Sequence, residues 1–247
     1  MCPAVGNIPV CMLEDGKDWI KADGLRGDAR HLTLDPNTAN RRLRLSEDNR
    51  EVKMTYKQQS YPDHPDRFDQ WPQVLCREGL TGRCYWEVQW SGEVDIAVTY
   101  RRITRSGDDS QLGHNKQSWS LRCSGDSYTA SHNRKSTLLS VHSHGSDRVA
   151  VYLDCSAGTL SFYRVSSDRL RLLHTFSSTF TEPFYPGFGV WDPDSHLGLL
   201  PVSERQQLLA KPPTKPPAKP PTKPPTKPPT KPPTKPPASV WEKCCIM

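Results

Sequence analysis

No run of eighteen apolar residues occurs in this 247-residue chain, so a membrane-spanning helix is not expected. The first fifteen residues lack both a basic n-region and an uninterrupted apolar stretch, so they do not read as a secretory signal; the expected address is the cytosol. None of the eight cysteines stands in C-x-x-C spacing, which argues against zinc modules and RING-type ligase chemistry. Glycine-rich phosphate loops, a G-x-S-x-G elbow and an H-E-x-x-H helix are all missing. His132, His142 and His144 lie in polar stretches, and Asp108 and Asp109 are adjacent, so on an extended chain they point apart. The expectation is a protein that is not an enzyme and holds no cofactor or metal. Helical periodicity is absent too, which leaves strands to build the core.

What is present is unevenly distributed. The net charge is +6, yet residues 205–247 hold nine Lys or Arg against one acid, leaving a body that is slightly acidic. Such a body lacks the basic footprint needed to neutralise phosphates, so nucleic acid is not an expected partner. Seven tetrapeptides, Lys-Pro-Pro-Thr or Lys-Pro-Pro-Ala, run from Lys211 to Ala238. Half of these residues are proline, which forbids helix and sheet and favours an extended polyproline II tail of roughly 90 Å, disordered with respect to any core.

The chain then ends Cys244-Cys245-Ile246-Met247, a prenylation signal in which Cys244 takes the lipid and the terminal Met favours farnesyl. A prenyltransferase and an anionic membrane surface are therefore expected partners, with Lys235 and Lys243 as basic residues for that surface. One lipid chain anchors only marginally, so a second signal is required. Maturation at such motifs removes the last three residues, so Cys245 does not supply it.

From His31 onward, short runs of period two alternate with turn residues. Trp86, Val88 and Trp90 share one face of a strand, with Glu87 and Gln89 on the other; Val94, Ile96, Val98 and Tyr100 repeat the pattern. Residues 148–165 read as a hairpin turning at Ser156-Ala157-Gly158. The fold class is all-β, an antiparallel sandwich over residues 31–203, preceded by a leader of undetermined structure (1–30) and followed by the repeat linker (204–238) and the lipidation segment (239–247). Trp86, Val88, Trp90, Trp119 and Phe162 are expected in the core. Cys76, Cys84, Cys123 and Cys155 read as reduced thiols near strands. Residues 58–73, 105–116, 124–136 and 142–147 read as long connections.

Leu32-Thr33-Leu34-Asp35-Pro36, with Leu43-Arg44-Leu45-Ser46-Glu47-Asp48, resembles the PRY segment of the B30.2 family. Tyr85-Trp86-Glu87-Val88, Gln117-Ser118-Trp119-Ser120-Leu121, Leu153-Asp154-Cys155 and Glu182-Pro183-Phe184-Tyr185-Pro186-Gly187-Phe188 resemble successive SPRY motifs. The resemblance covers roughly residues 25–203 and implies a bent two-sheet sandwich that recognises a protein or peptide through its loops, in a setting such as innate immunity. Members include tripartite-motif ubiquitin ligases, nucleotide-binding immune receptors and fish venom toxins. The chain thus also reads as a recognition fragment of a ligase or receptor, or as a secreted toxin-like module.

Partner-binding candidates follow from residue type and loop position. Tyr61, Arg67, Phe68 and Trp71 fall in the proline-bearing connection and match side chains enriched at interface hot spots. Arg105, His114 and Trp191 are of the same kind.

Overall fold

The structure, a computed structural model, describes residues 19–141 and 146–201. Cys244, Lys235, Lys243, the repeat linker expected to be disordered and the leader before Trp19 lie outside the described residues.

Two antiparallel sheets form a sandwich. The strands are β1 (Trp19–Lys21), β2 (Leu43–Leu45), β3 (Glu51–Met54), β4 (Gln73–Leu75), β5 (Arg83–Ser91), β6 (Glu93–Tyr100), β7 (Ser118–Ser124), β8 (Ser127–His132), β9 (Lys135–Leu138), β10 (Arg148–Asp154), β11 (Thr159–Ser166), β12 (Arg169–Ser177), β13 (Phe184–Val190) and β14 (His196–Leu199). A short helix, α1 (Asp23–Arg26), follows β1. One sheet runs β1-β12-β11-β10-β5-β14-β3-β2 and the other β4-β13-β6-β7-β8-β9. The all-β sandwich expected from the alternation is the fold observed.

The inner faces carry the predicted core. Trp86, Val88, Trp90, Trp119 and Phe162 are all buried, packed with Val94, Ile96, Val98, Phe184 and Phe188 between the sheets. Cys76, Cys84 and Cys123 are buried and Cys155 half-buried, all with free thiols. Burial raises the Cys76 and Cys123 thiols well above their ordinary range, so they stay protonated at neutral pH.

Two regions differ from the sequence expectation. Residues 124–136, expected as a connection, supply β8 and, with the two residues after them, β9. Tyr128 and Ala130 are buried, and His132 stacks on Trp119 at 4.5 Å and 3°, while small hydroxyl residues fill the alternate positions. The hairpin turns at Asn133 and Arg134, both at positive φ, as a tight turn between right-twisting strands demands.

The second difference is at the start of the chain. Trp19 and Ile20, in the leader whose structure the sequence left undetermined, lie in β1, which pairs with β12; α1 follows and covers the outer face of β5, β10 and β11. Ala22, Leu25 and Ala29 pack there on Tyr85, Ala150, Tyr163 and Leu170. Glu87 fixes the arrangement: it accepts from Arg26 Nε at 3.3 Å and Nη2 at 3.2 Å, from the Tyr85 hydroxyl at 2.6 Å, and from Arg148.

Candidate functional site

The outer face of the six-stranded sheet is built around Asp95, in the middle of β6. Its register neighbours are Arg122 of β7 and Gly189 of β13. Asp95 is only 2% exposed, and a buried carboxylate requires partners. Arg122 supplies two, Nε to Oδ1 at 3.0 Å and Nη2 to Oδ2 at 3.1 Å, and the Trp191 indole donates to Oδ2 at 3.1 Å. Arg122 also pairs with Glu93 at 3.3 Å and lies 4.7 Å over the Trp191 ring. Burial alone would lower its guanidinium; the hydrogen bonds and charges of Asp95, helped by Glu93, outweigh that and hold it above its usual value. Trp71 completes the group, edge-on to Trp191 at 5.8 Å. A Cβ at position 189 would sit 3.3 Å from both the Asp95 Cβ and the Trp191 ring, so glycine is what lets the indole reach over the carboxylate.

Beside this group is a recess of about 180 Å³, with Asp95, Arg122, His114 and Leu112 on one side and Ser120, Thr129, Ser131 and Ser136 on the other. The 105–116 loop forms its wall because Gln73 pins it, donating to Ser110 O at 2.8 Å and accepting from Leu112 N at 2.7 Å. Gly113, at φ +83°, presses on β7 where a Cβ would stand 2.1 Å from Ser120 Oγ. Burial lowers the His114 imidazole below its usual value, so the ring is neutral at physiological pH. Its Nδ1 and the Trp71 indole N–H are buried, and neither has a hydrogen-bond partner.

Of the seven candidates, the structure brings Trp71, His114 and Trp191 to this face. The other four hold the connection together. Phe68 is 0% exposed, packed with Leu75, Ala97, Ile103 and Leu112, so it has no surface to offer a partner, which corrects its assignment as a contact residue. Arg67 donates to the carbonyls of Pro36, Ala39 and Pro62. Tyr61 donates to Leu43 O at 2.9 Å, and Arg105 to the carbonyls of Ile103 and Arg101 while covering the Phe68 ring. A proline-rich connection has few backbone donors to zip itself, so long side chains tie it down. Asp95 and Arg122 were missed. The available signal was an acid in mid-strand between Val94 and Ile96.

Among the described residues, no cluster of three or more His, Cys, Asp or Glu is placed to hold a metal ion. The arrangement offers stacking area, a fixed guanidinium and unpaired polar atoms, which suits recognition.

Comparison with known proteins agrees. The SPRY-associated domain (PRY) profile matches residues 32–80 and the SPRY domain profile residues 83–197. Stonustoxin subunit beta of Synanceia horrida is 46% identical over 164 residues, covering 65% of this chain and 23% of the toxin subunit. Tripartite motif-containing protein 16 of Mus musculus is 36% identical over 181 residues, 71% of this chain and 32% of that protein. The chain thus spans less than a third of the length of these relatives. Among solved structures, the TRIM65 PSpry domain superposes with a TM-score of 0.66 at 30% identity, over 72% of this chain and 94% of that one.

Proposed function

The chain belongs to the PRY-SPRY (B30.2) family of protein-interaction modules, and from that premise we propose that it is a non-enzymatic adaptor which captures a protein or peptide on the Trp71–Trp191 face while tethered to a membrane. The observation that carries the recognition half is the half-buried Trp71–Trp191 pair beside the Arg122 guanidinium on an outer sheet face. Trp71 Nε1 and His114 Nδ1 are buried beside them without partners, a cost that a loop shift onto a bound segment would relieve. Tryptophan and arginine are also the side chains that dominate binding energy in interfaces.

The membrane half is carried by Cys244-Cys245-Ile246-Met247 behind a basic, proline-rich spacer. Prenylated at Cys244, the adaptor works on the cytoplasmic side of a membrane, and recruitment raises the local concentration of its partner there. A setting in innate immunity is the further part of this proposal, taken from the family resemblance. Intact mass of the cell-expressed chain tests the tether: a prenyl adduct with loss of the last three residues is expected for the wild type and none for Cys244→Ser. Wild type and variant that fractionate alike as soluble protein would end this half of the proposal. Co-precipitation with Trp191→Ala tests the other half, since partners retained undiminished by that variant do not use this face.

A second reading has its own support. With 46% identity to a subunit of which this chain covers 23%, the domain also fits as a recognition module of a longer toxin-like or tripartite-motif protein. Upstream coding exons in the full transcript select that reading.

A further inference from the structure

On the other side of the sandwich, the outer face of the eight-stranded sheet sets three basic side chains in one row. Arg44 of β2 stands opposite Lys53 of β3, and Lys53 opposite His196 of β14. All three are exposed. Like charges directly opposite on a sheet face repel. Neither Arg44 nor Lys53 makes an ion pair or side-chain hydrogen bond among the described residues, whereas Arg26, Arg41, Arg101 and Arg148 are all paired. Arg42, two residues before Arg44, and Lys57, just beyond β3, are exposed cations without ion pairs and extend the row at one edge of the sheet. Next to Lys57 in sequence is Tyr56, an aromatic side chain 92% exposed. Carboxylates stand nearby as well, Glu51 one pair along on the same face, Glu47 and Asp48 in the turn between β2 and β3, and Asp194, so what sets the face apart is that its Arg and Lys side chains are left without ion pairs.

Unpaired cations beside a bare aromatic gain nothing from the fold itself. Tyr56 protrudes where a peptide-binding site would offer a pocket, and a protruding aromatic flanked by Arg and Lys suits the headgroup layer of a bilayer. The exit of the chain points the same way. A depression of about 640 Å³, lined by Arg44, Arg50, Lys53 and His196 and also by Asp48 and Glu51, reaches to Pro201. Beyond Pro201 the sequence runs into the lysine-proline repeats and Cys244. We propose that this face, Arg42, Arg44, Lys53, Tyr56 and Lys57, docks on an anionic lipid bilayer and is the second membrane signal that a single prenyl chain requires. The docking rests on the tethered reading for its place in the cell, but not for its chemistry.

The test is vesicle flotation of the full chain, prenylated and as Cys244→Ser, on phosphatidylcholine alone and on phosphatidylcholine with about 30 mol% phosphatidylserine at roughly 0.1 M salt. Arg44→Gln/Lys53→Gln and Tyr56→Ser are compared with the parent; all these positions are exposed, and equal thermal melts establish that the fold is kept. In both lipidation states the double variant should lose on the order of tenfold in its preference for phosphatidylserine vesicles, and Tyr56→Ser should lose a smaller part. The tail lysines are common to every chain and cancel. An unchanged preference in the double variant overturns the proposal, as does tighter retention on an acidic peptide such as polyglutamate than on the anionic vesicles. Equal binding of prenylated and Cys244→Ser chains to neutral vesicles overturns the tether instead, and leaves the docking face to be judged by its charge preference alone.

Discussion

Asp95 has no exposed surface of consequence, yet it fixes both Arg122 and Trp191 on the Trp71–Trp191 face. Removing it strands a guanidinium that is only one-third exposed and takes the hydrogen-bond acceptor from Trp191. Asp95→Ala is therefore expected to lower stability by about 2 kcal/mol, toward the low end for a broken buried pair because Glu93 still faces Arg122; a urea-unfolding midpoint measures it. Phe68→Ala, by contrast, opens a cavity in the core and should cost about 3–4 kcal/mol. A Phe68→Ala chain of unaltered melting temperature would contradict that placement. Two imidazoles add a pH dependence. Burial depresses both His114 and His174, so the folded state keeps them neutral while the unfolded chain takes up protons near its ordinary value of 6.5. Their contribution is complete above that value and drains away as pH falls toward the folded values, since there the unfolded state binds more protons. The double variant His114→Gln/His174→Gln should flatten the stability profile between about pH 7 and 5, read from urea melts across that range.

At the level of elements, legibility followed the contrast between the two faces of each strand. β5, β6, β10 and β11 were readable because large apolar residues alternate with polar ones, as in Trp86-Glu87-Val88-Gln89-Trp90. β8 was not, because its outward positions are Ser127, Thr129 and Ser131 and its inward ones include Ala130 and His132, a contrast too faint to register as period two. The connection 58–73 was recognised as a connection but not for what its side chains do, since Arg67 and Tyr61 act on carbonyls some 18 to 31 residues distant in sequence. The face itself was half readable: loop tryptophans announce themselves by type, whereas Asp95 and Arg122 acquire meaning only when register puts them side by side. Gly113 belongs to this scale as well. Its positive φ and its contact with Ser120 bring the 105–116 loop onto β7, and Gly113→Ala should destabilise by about 2 kcal/mol and displace His114 from the recess. Thermal melting together with the His114 ring signals by NMR would register both effects.

For the whole molecule, the decisive matter is where the folded unit begins. Alternation starts at His31, but the apolar patch formed by Tyr85, Ala150, Tyr163, Val165 and Leu170 is roofed by Ala22, Leu25 and Ala29. A chain cut to begin at His31 uncovers that patch and strips Arg26 from Glu87, and should lose about 3–5 kcal/mol. Chemical denaturation of the two lengths side by side decides the point, and equal midpoints would mean that the roof contributes nothing. The sandwich also separates two kinds of surface: tryptophans, a guanidinium and hydroxyls on one broad side, and a row of cations on the other.

The position of the last strand has a mechanical consequence. β14 is flanked by β3 on one side and β5 on the other, and it ends two residues before Pro201. A load applied at Pro201 along the strand would slide β14 past both neighbours at once, breaking two ladders in shear instead of peeling one edge open. A last strand so placed would thus resist force at its C-terminal end where an outermost strand would unzip.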